Sequence, residues 1–233
     1  MNNTTKFLGL CIALAFAAAQ AQAADIYKVN NTDNLNTVTS WSTTSGSQTP
    51  NPGSLTTADN WYFNQATMTA GTKTVSLGGN MTIGGMALDW SGTTDPGSGN
   101  YSSLVINSGN TLTLNGGTLG GTGVAGSNYT ATGILLNRGT GGTITINANV
   151  ALGANQSWVT GRSSGTPLTI NGNVAAGGYT LLLNMVSSSS VVNTIKGAIT
   201  GTAKITKQRE ATLVLNGDNC GHSGGFQLGA GAG

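Results

Sequence analysis

The sequence predicts an all-β protein, specifically a right-handed parallel β-helix (a solenoid). Apolar residues alternate with polar ones in eight short runs, a two-residue period typical of strands with one buried face. Each run ends at Asn or Gly, which tolerate the positive φ of a tight corner. No long apolar stripe has helical spacing, and the sequence contains 37 glycines. Short strands with glycine-rich corners suit a solenoid, in which each strand pairs with its counterpart in the next coil.

The alternating runs all follow residue 72, so we predict the β-helical array over residues 72–233. They comprise residues 75–78, 81–84, 104–107, 112–115, 144–147, 168–171, 181–184 and 213–216. Because most of them end in Asn, we expect Asn side chains at equivalent corners to form a hydrogen-bonded ladder along the array. A disordered Gly/Ser/Thr linker is the alternative for residues 91–99 and for the loop before Leu55.

The first residues have the features of a cleaved secretory signal peptide, which we place at residues 1–23. Lys6 provides the positive charge, an apolar run follows from Phe7 to Ala19, and residues 21–23 form a small-residue cleavage site. That run is too short to span a bilayer, and no later run is long enough for a membrane helix. Cys11 is lost with the signal, so Cys220 has no partner for an intrachain disulfide.

The low charge of the chain limits the partners that it attracts. Charged residues make up 7% of the sequence, whereas ordinary globular domains contain about 25%. The formal net charge of +2 includes Lys6, so the exported chain is close to neutral. Electrostatic steering toward nucleic acid or anionic lipid is therefore not expected.

An aromatic-rich segment, residues 24–71, precedes the array. Its bulky side chains are Tyr27, Trp41, Trp61, Tyr62 and Phe63. A solenoid needs an atypical end that covers its last coil, and bulky aromatic residues suit that role. We therefore predict that this segment is an N-terminal cap. The alternative interpretation is a carbohydrate-binding platform built on Trp41 and Trp61.

The carboxylates show no pattern that predicts an active site. Polysaccharide cleavage on a β-helix needs clustered carboxylates for acid–base work or for calcium. Asp89 and Asp95 are the closest acidic pair, and Trp90 and Pro96 suggest that they lie in an exposed loop. No carboxylate spacing repeats with the strand period. We therefore predict a non-enzymatic protein with no catalytic, cofactor-binding or metal-binding residues and no cofactor.

Three further features have structural interpretations. Asp218, Cys220, His222 and Ser223 include nucleophile and base types, but we interpret them as a variable turn tip, because triad partners must converge in space. One Cys and one His also lack the further ligands that zinc requires. The glycine spacing of residues 116–123 is not followed by a helix and does not indicate a nucleotide loop. We expect the two arginines of the array to be solvated corner residues; they are Arg138 and Arg162.

A stretch near the C-terminus carries a family motif. It contains Ile205-Thr-Lys207, Thr212-Leu-Val-Leu-Asn-Gly217, Asn219 and Gly224-Gly225. This pattern resembles the autotransporter-associated β-strand repeat, also called the passenger-associated transport repeat, which we place at residues 201–228. Residues 208–211 depart from the glycine-rich turn of that family, and residues 220–222 depart from its usual Thr-Tyr-Thr. Residues 58–61 also resemble the N-terminal region of large proteins that carry these repeats.

The resemblance implies a passenger segment of bacterial type V secretion, in which the repeat assists export. It implies passage through the periplasm to the outer membrane or cell surface, where the chain acts as a structural stalk or adhesin-like module. The implied partners are an outer-membrane translocator and surface glycans. Because no coil covers the last strands, we also expect either end-to-end self-association or a longer protein with more repeats and a barrel. The alternative function is a carbohydrate-binding or carbohydrate-cleaving β-helix, suggested by Trp41, Trp61 and Trp90.

Overall fold

The computed structural model describes residues 23–64, 72–89, 103–120, 128–137, 143–160, 167–185 and 191–229. Within these ranges the chain forms 21 β-strands and one 3₁₀ turn, Val38–Ser40. The prediction of an all-β protein is therefore confirmed. The predicted signal peptide lies outside the described residues apart from Ala23, and so does the predicted linker at residues 91–99.

The strands are short, and most contain three to five residues. The first ten are β1 (Asp25–Lys28), β2 (Trp41–Ser42), β3 (Asn60–Asn64), β4 (Thr72–Val75), β5 (Met81–Ile83), β6 (Gly85–Asp89), β7 (Ser103–Ile106), β8 (Thr111–Leu114), β9 (Gly117–Gly120) and β10 (Asn128–Asn137). The others are β11 (Ile144–Ile146), β12 (Asn149–Leu152), β13 (Gln156–Thr160), β14 (Leu168–Ile170), β15 (Val174–Gly177), β16 (Leu181–Met185), β17 (Val192–Ile195), β18 (Ile199–Gly201), β19 (Ile205–Gln208), β20 (Thr212–Leu215) and β21 (Phe226–Leu228).

These strands form three sheets, which we name A, B and C. Sheet A has the order β2-β1-β3-β6-β10-β13-β16-β19-β21, and β9 pairs with β10 beside it. Sheet B has the order β20-β17-β14-β11-β7-β4, and sheet C has the order β18-β15-β12-β8-β5. Every described strand pair is parallel except β1 with β2 and β9 with β10. Long parallel sheets therefore dominate the fold.

From β3 onward the chain visits the three sheets in rotation. The strands β3, β4 and β5 lie in sheets A, B and C, and β6 then returns to sheet A beside β3. We call one such passage through the three sheets a circuit. Five circuits are complete in the described residues, and in a sixth the place of the sheet C strand is taken by a single bridge from His222 to Gly201. Equivalent residues are 24 or 25 positions apart in the middle circuits, as for Asn147 and Asn171, and 20 or 21 apart at the last pairings, as for Val192 and Thr212.

The inward faces of the three sheets share one hydrophobic core. Buried and half-buried residues alternate along β7 and β8, as the two-residue period predicted. In neighbouring strands the buried residues lie side by side, for example Ile106, Ile146 and Ile170 in sheet B. The core cluster contains residues from all three sheets. Burial of aliphatic side chains at about 1.5–3 kcal/mol each therefore stabilises every circuit against the next.

Two of the eight alternating runs differ from the prediction. In residues 75–78 the strand ends at Val75, and the chain beyond it receives hydrogen bonds from the N-terminal segment, with Leu35 N 2.8 Å from Ser76 O. In residues 181–184 the last residue, Asn184, lies inside β16 and not at a corner. None of the described Asn residues has a positive φ, since Ala131 and Arg209 are the only described non-glycine residues that do. Positive φ at corners is therefore found at glycine and not at asparagine. Gly78 (φ 80°) and Gly116 (φ 74°) turn their corners in this way.

The expected ladder of corner Asn side chains is found at one step among the described residues. Asn171 Nδ2 donates to Asn147 Oδ1 at 2.6 Å. A second column, which the sequence patterns did not reveal, uses side chain to backbone bonds. In it Asn149 Oδ1 accepts from Asn173 N, and Asn173 Oδ1 accepts from Ala198 N, both at 3.0 Å. These bonds satisfy corner N–H groups that have no strand partner.

We predict that Asn173→Ala lowers the free energy of unfolding by about 1 kcal/mol, because the N–H of Ala198 loses its acceptor. The matched control is Asn216→Ala, at an exposed corner where the described residues make no hydrogen bond to the Asn side chain. Urea denaturation followed by circular dichroism measures both values. Equal losses in the two variants would contradict a role for the ladder.

The aromatic-rich segment lies at one end of sheet A. There β1 pairs with β2 in antiparallel and with β3 in parallel orientation. The strand β3 belongs to the predicted capping segment, yet it already pairs in parallel with β6 over five residues. Parallel pairing of the array therefore begins before residue 72. The capping role of residues 24–71 stays a prediction.

Candidate functional site

The C-terminal turn holds the residue types closest to a catalytic set. Asp218 Oδ1 accepts a hydrogen bond from Cys220 N at 3.1 Å, which lowers the pKa of the carboxyl. A side-chain hydrogen bond with Asp218 and its negative charge raise the pKa of the Cys220 thiol. A reactive cysteine needs the opposite shift, because the thiolate is the nucleophile. The exposed Cys220 is thus a poor nucleophile.

His222 does not complete a catalytic pair with this thiol. Its Nε2 lies 3.3 Å from Gly225 O, and its ring packs 4.9 Å from the ring of Phe226. The backbone of His222 forms the bridge to Gly201 that continues sheet C. These contacts give the histidine a structural position at the end of the array, which agrees with the interpretation of residues 218–223 as a turn tip.

Two carboxylates of the N-terminal segment, Asp59 and Asp25, make local structural hydrogen bonds. Asp59 is buried, and its oxygens accept from Thr56 N at 2.7 Å and Thr56 Oγ1 at 2.8 Å. Asp25 Oδ1 accepts from Asn60 Nδ2 at 3.0 Å. Among the described residues no group of three or more His, Cys, Asp or Glu side chains could hold a metal ion. Asp95 lies outside the described residues.

The two tryptophans of the N-terminal segment do not form a carbohydrate platform. Trp41 and Trp61 are both fully buried, with ring centroids 4.7 Å apart. The ring of Phe63 packs edge-on against Trp41 at 5.8 Å, and Trp41 Nε1 donates to Leu35 O at 2.8 Å. A sugar could not stack on rings that solvent does not reach. The platform interpretation of these two residues is therefore wrong, and Trp90 lies outside the described residues.

The glycine-rich residues after Gly116 form a strand and not a phosphate-binding loop. Residues 117–120 are β9, which pairs in antiparallel orientation with β10. The close approach explains one of the glycines, because a Cβ on Gly117 would lie 2.0 Å from Asn60 Oδ1. Residues 121–123, together with Arg138 and Arg162, lie outside the described residues.

The hairpin β9–β10 covers part of the outer face of sheet A. Leu119 packs there against a second hydrophobic cluster that contains Tyr62, Leu135 and Val159. Gly120 N donates to Tyr62 Oη at 2.9 Å, and the rings of Tyr27 and Tyr62 are 5.2 Å apart. The part of the outer face of sheet A around Tyr62 and Leu135 is therefore covered by the chain itself.

The sequence patterns did not predict a buried lysine, Lys28, at the N-terminal end of the structure. Lys28 is fully buried, and its Nζ donates to Asn31 Oδ1 at 2.6 Å and to Val29 O at 2.9 Å. Asn31 Nδ2 in turn donates to Asp33 Oδ2 at 3.1 Å. Burial, followed by repulsion from Lys73, lowers the pKa of Lys28 to about 8. The ammonium therefore ties residues 29–31 to the end of the sheet at an electrostatic cost.

This lysine predicts a specific pH dependence of stability. The folded-state pKa of about 8 lies below the ordinary 10.5, so the unfolded chain binds the proton more tightly. The free energy of unfolding should then rise as the pH increases from about 8 to about 10.5. Urea denaturation across this range, compared with Lys28→Met, isolates the effect, because the variant lacks the titrating group. Parallel pH profiles for the two proteins would contradict it.

A groove of ≈ 260 Å³ lies at the other end, where β19, β20 and β21 leave the core partly open. Its apolar lining includes Ile205, Leu213 and Phe226, and Leu228 is 83% exposed. Lys207 occupies the inward register position that Leu183 fills one strand earlier. Lys207 thus interrupts an otherwise apolar row, because Leu228 of β21 lies beside it on the next strand.

No protein family, curated protein or solved structure was found to match the chain. Of the residues that the structure describes, none belong to a helix long and apolar enough to cross a membrane.

Proposed function

We propose that the chain is a non-enzymatic structural module of an exported bacterial surface protein. In this proposal the circuits form a right-handed parallel β-helix, and residues 24–71 cap its N-terminal end. The observation that carries the proposal is the strand order of the three sheets, in which each strand pairs with its counterparts in the circuits before and after it. A repeat of this kind makes a stiff spacer whose length follows from the number of circuits.

The contacts of the candidate functional residues are also compatible with a structural role. The thiol of Cys220 has a raised pKa, and the carboxylates of Asp59 and Asp25 accept hydrogen bonds in a turn and between strands. No described tryptophan is available for stacking on a sugar in the N-terminal segment. Trp41 and Trp61 therefore no longer support a carbohydrate-binding or carbohydrate-cleaving function.

Export in the autotransporter manner is the second part of the proposal. It rests on the signal-like residues 1–23 and on the motif at residues 201–228. The motif spans about one circuit: β19 and β20 lie in sheets A and B, His222 bridges to sheet C, and β21 returns to sheet A. One copy of the motif thus corresponds to one unit that can add to the circuit before it. Folding outside the cell, circuit by circuit, would favour outward movement of the chain.

Surface display tests the export proposal. The full chain fused to an outer-membrane translocator barrel should reach the surface of a Gram-negative host, and its mature N-terminus should follow Ala23. Deletion of residues 201–228 should reduce the amount that external protease removes. Deletion of the circuit at residues 156–180 is the matched control and should reduce it less. Equal reductions would contradict a special role of the motif in secretion.

Circular dichroism tests the fold on which both parts depend. The purified chain should give a spectrum dominated by β-structure. A spectrum dominated by helix or coil would contradict the proposal altogether.

A further inference from the structure

The outer face of sheet B presents one uninterrupted row of β-branched residues. The row crosses all six strands of the sheet, one residue per strand, and consists of Thr74, Val105, Thr145, Thr169, Thr194 and Val214. These side chains are exposed or half-buried, whereas the residues that follow them in sequence point into the core. Each member therefore presents a methyl group, and four of them also present a hydroxyl, on the same side of the sheet.

A second row lies beside the first. Each of its members is two residues earlier in the sequence, either in the same strand or directly before that strand. It consists of Thr72, Ser103, Thr143, Pro167, Val192 and Thr212. Seven of the twelve positions in the two rows are threonine, and none is charged or aromatic. In the described part of the chain, the hydroxyls of Thr74, Thr145, Thr169 and Thr194 have no protein hydrogen-bond partner. They are free to bond to water.

Strand propensity alone does not explain this composition. Threonine and valine favour any strand, so the other two sheets serve as internal comparisons. The central outward row of sheet C contains Thr82, Thr113, Ala151, Ala175 and Thr200. That of sheet A contains Tyr27, Tyr62, Ala87, Leu135, Val159, Asn184 and Gln208. Only sheet B combines β-branched residues along its whole row.

Sheet B is also the most regular of the three sheets. Its five described pairings contain no register shift. Sheet A shifts register between Thr132 and Ile134, and sheet C shifts between Ala175 and Gly177. Parallel strands are about 4.8 Å apart, and alternate residues of one strand are about 6.6 Å apart. The first row therefore forms a regularly spaced line of methyl and hydroxyl groups. The second row extends it into a two-dimensional lattice where its residues lie in paired strands; Thr143 and Pro167 directly precede their strands.

We infer that this face binds ordered water, specifically the surface of an ice crystal. A rigid lattice of methyl groups holds water in cages, and regularly spaced hydroxyls anchor those cages at positions that a crystalline water layer can share. Many weak contacts act together because the sheet fixes them in advance, which reduces the entropy lost on binding. The inference rests on the proposed function, because it requires the stacked circuits of the structural module. It adds a ligand for the outer face of sheet B.

Other ligand classes fit this face poorly. Nucleic acids and acidic polysaccharides need basic side chains, and the two rows contain no charge. Sugars in protein sites stack on aromatic rings, and no aromatic residue lies in either row. An uncharged and periodic face therefore favours an uncharged and periodic partner.

The test compares matched lysine variants of the purified full chain. Thr169→Lys and Thr145→Lys place a long charged side chain in the centre of the sheet B face, where its stem can extend into solvent. Thr113→Lys places the same side chain on the outward row of sheet C and is the control. Circular dichroism checks that each variant is folded. Ice recrystallisation inhibition and partitioning into a slowly growing ice front are then measured.

We expect the parent chain and Thr113→Lys to slow recrystallisation and to enter the ice, and both sheet B variants to lose these activities. A folded parent chain without either activity would overturn the inference, as would an equal loss in Thr113→Lys. If the sheet B lysine variants fail to fold, the double variant Thr145→Val, Thr169→Val decides, because valine already occupies this row at Val105 and Val214. Unchanged ice activity there would overturn the role of the hydroxyls. A parent chain without β-structure would instead contradict the proposed function.

Discussion

Replacement of Trp61 by alanine should lower the free energy of unfolding by about 3–5 kcal/mol, the range for loss of a large buried aromatic side chain. Trp61 lies in β3 between Ile26 of β1 and Met86 of β6, and none of its surface reaches solvent. Its ring also packs 4.7 Å from that of Trp41. The variant would leave a cavity where sheet A meets the N-terminal segment. Urea denaturation followed by tryptophan fluorescence and circular dichroism measures the loss.

Two controls separate packing from ligand binding in this experiment. Trp61→Phe keeps an aromatic ring against Trp41 and should lose less stability than the alanine variant. Tyr179→Ala removes a ring that is 40% exposed and should lose less than either. An unchanged unfolding midpoint in Trp61→Ala, together with loss of binding on a glycan array, would contradict the core assignment. That result would restore the carbohydrate platform.

The strands and their buried faces could be predicted because their signal is local. Leu104 and Ile106 in β7, and Leu112 and Leu114 in β8, alternate with residues that remain partly accessible. A two-residue period needs no knowledge of the partner strand. The absence of helix-length apolar stripes is equally local. These local signals suffice to predict an all-β fold.

The circuit length could not be read from the same patterns. In sheet B, Ile106 pairs beside Ile146, but Ile146 pairs beside Ile170, so equivalent residues are separated by different stretches of chain. The hairpin β9–β10 lengthens the circuit that contains it. Only long-range pairing reveals that these unequal stretches return to the same sheet. For the same reason the Asn residues that end the alternating runs are unequally spaced in the sequence.

Burial limited what could be predicted about functional residues. Trp41 and Trp61 suit a cap and a sugar platform equally well as residue types, and only their accessibility distinguishes the two. Lys28 has no sequence signal for burial, because its acceptors come from a loop that folds back on it. The outward row of sheet B could also not be predicted from the sequence. Its members Thr145 and Thr169 become neighbours only through the register of β11 and β14.

Replacement of Gly197 by alanine should lower the free energy of unfolding by about 3 kcal/mol, the upper part of the usual range for an overpacked site. A Cβ at this corner would lie 2.0 Å from Gly172 O, 2.4 Å from Gly172 C and 2.6 Å from Asn173 N. All three are backbone atoms, so no side-chain rotation relieves the contact. The φ of Gly197 is not in the left-handed region, so the effect would come from the close approach alone.

The same close contact is found at equivalent glycines of other circuits, so the prediction applies to the whole column of corners. A Cβ on Gly172 would lie 2.0 Å from Ala148 O, and one on Gly217 would lie 2.2 Å from Gly197 O. Glycine at this corner therefore sets how closely successive circuits stack. Gly178→Ala is the matched control, because its Cβ would meet no atom within 4 Å. That variant should be neutral or more stable by about 0.4–1 kcal/mol, since alanine restricts the unfolded chain. Equal stability of the two alanine variants in urea denaturation would show that glycine does not determine the stacking distance at this corner.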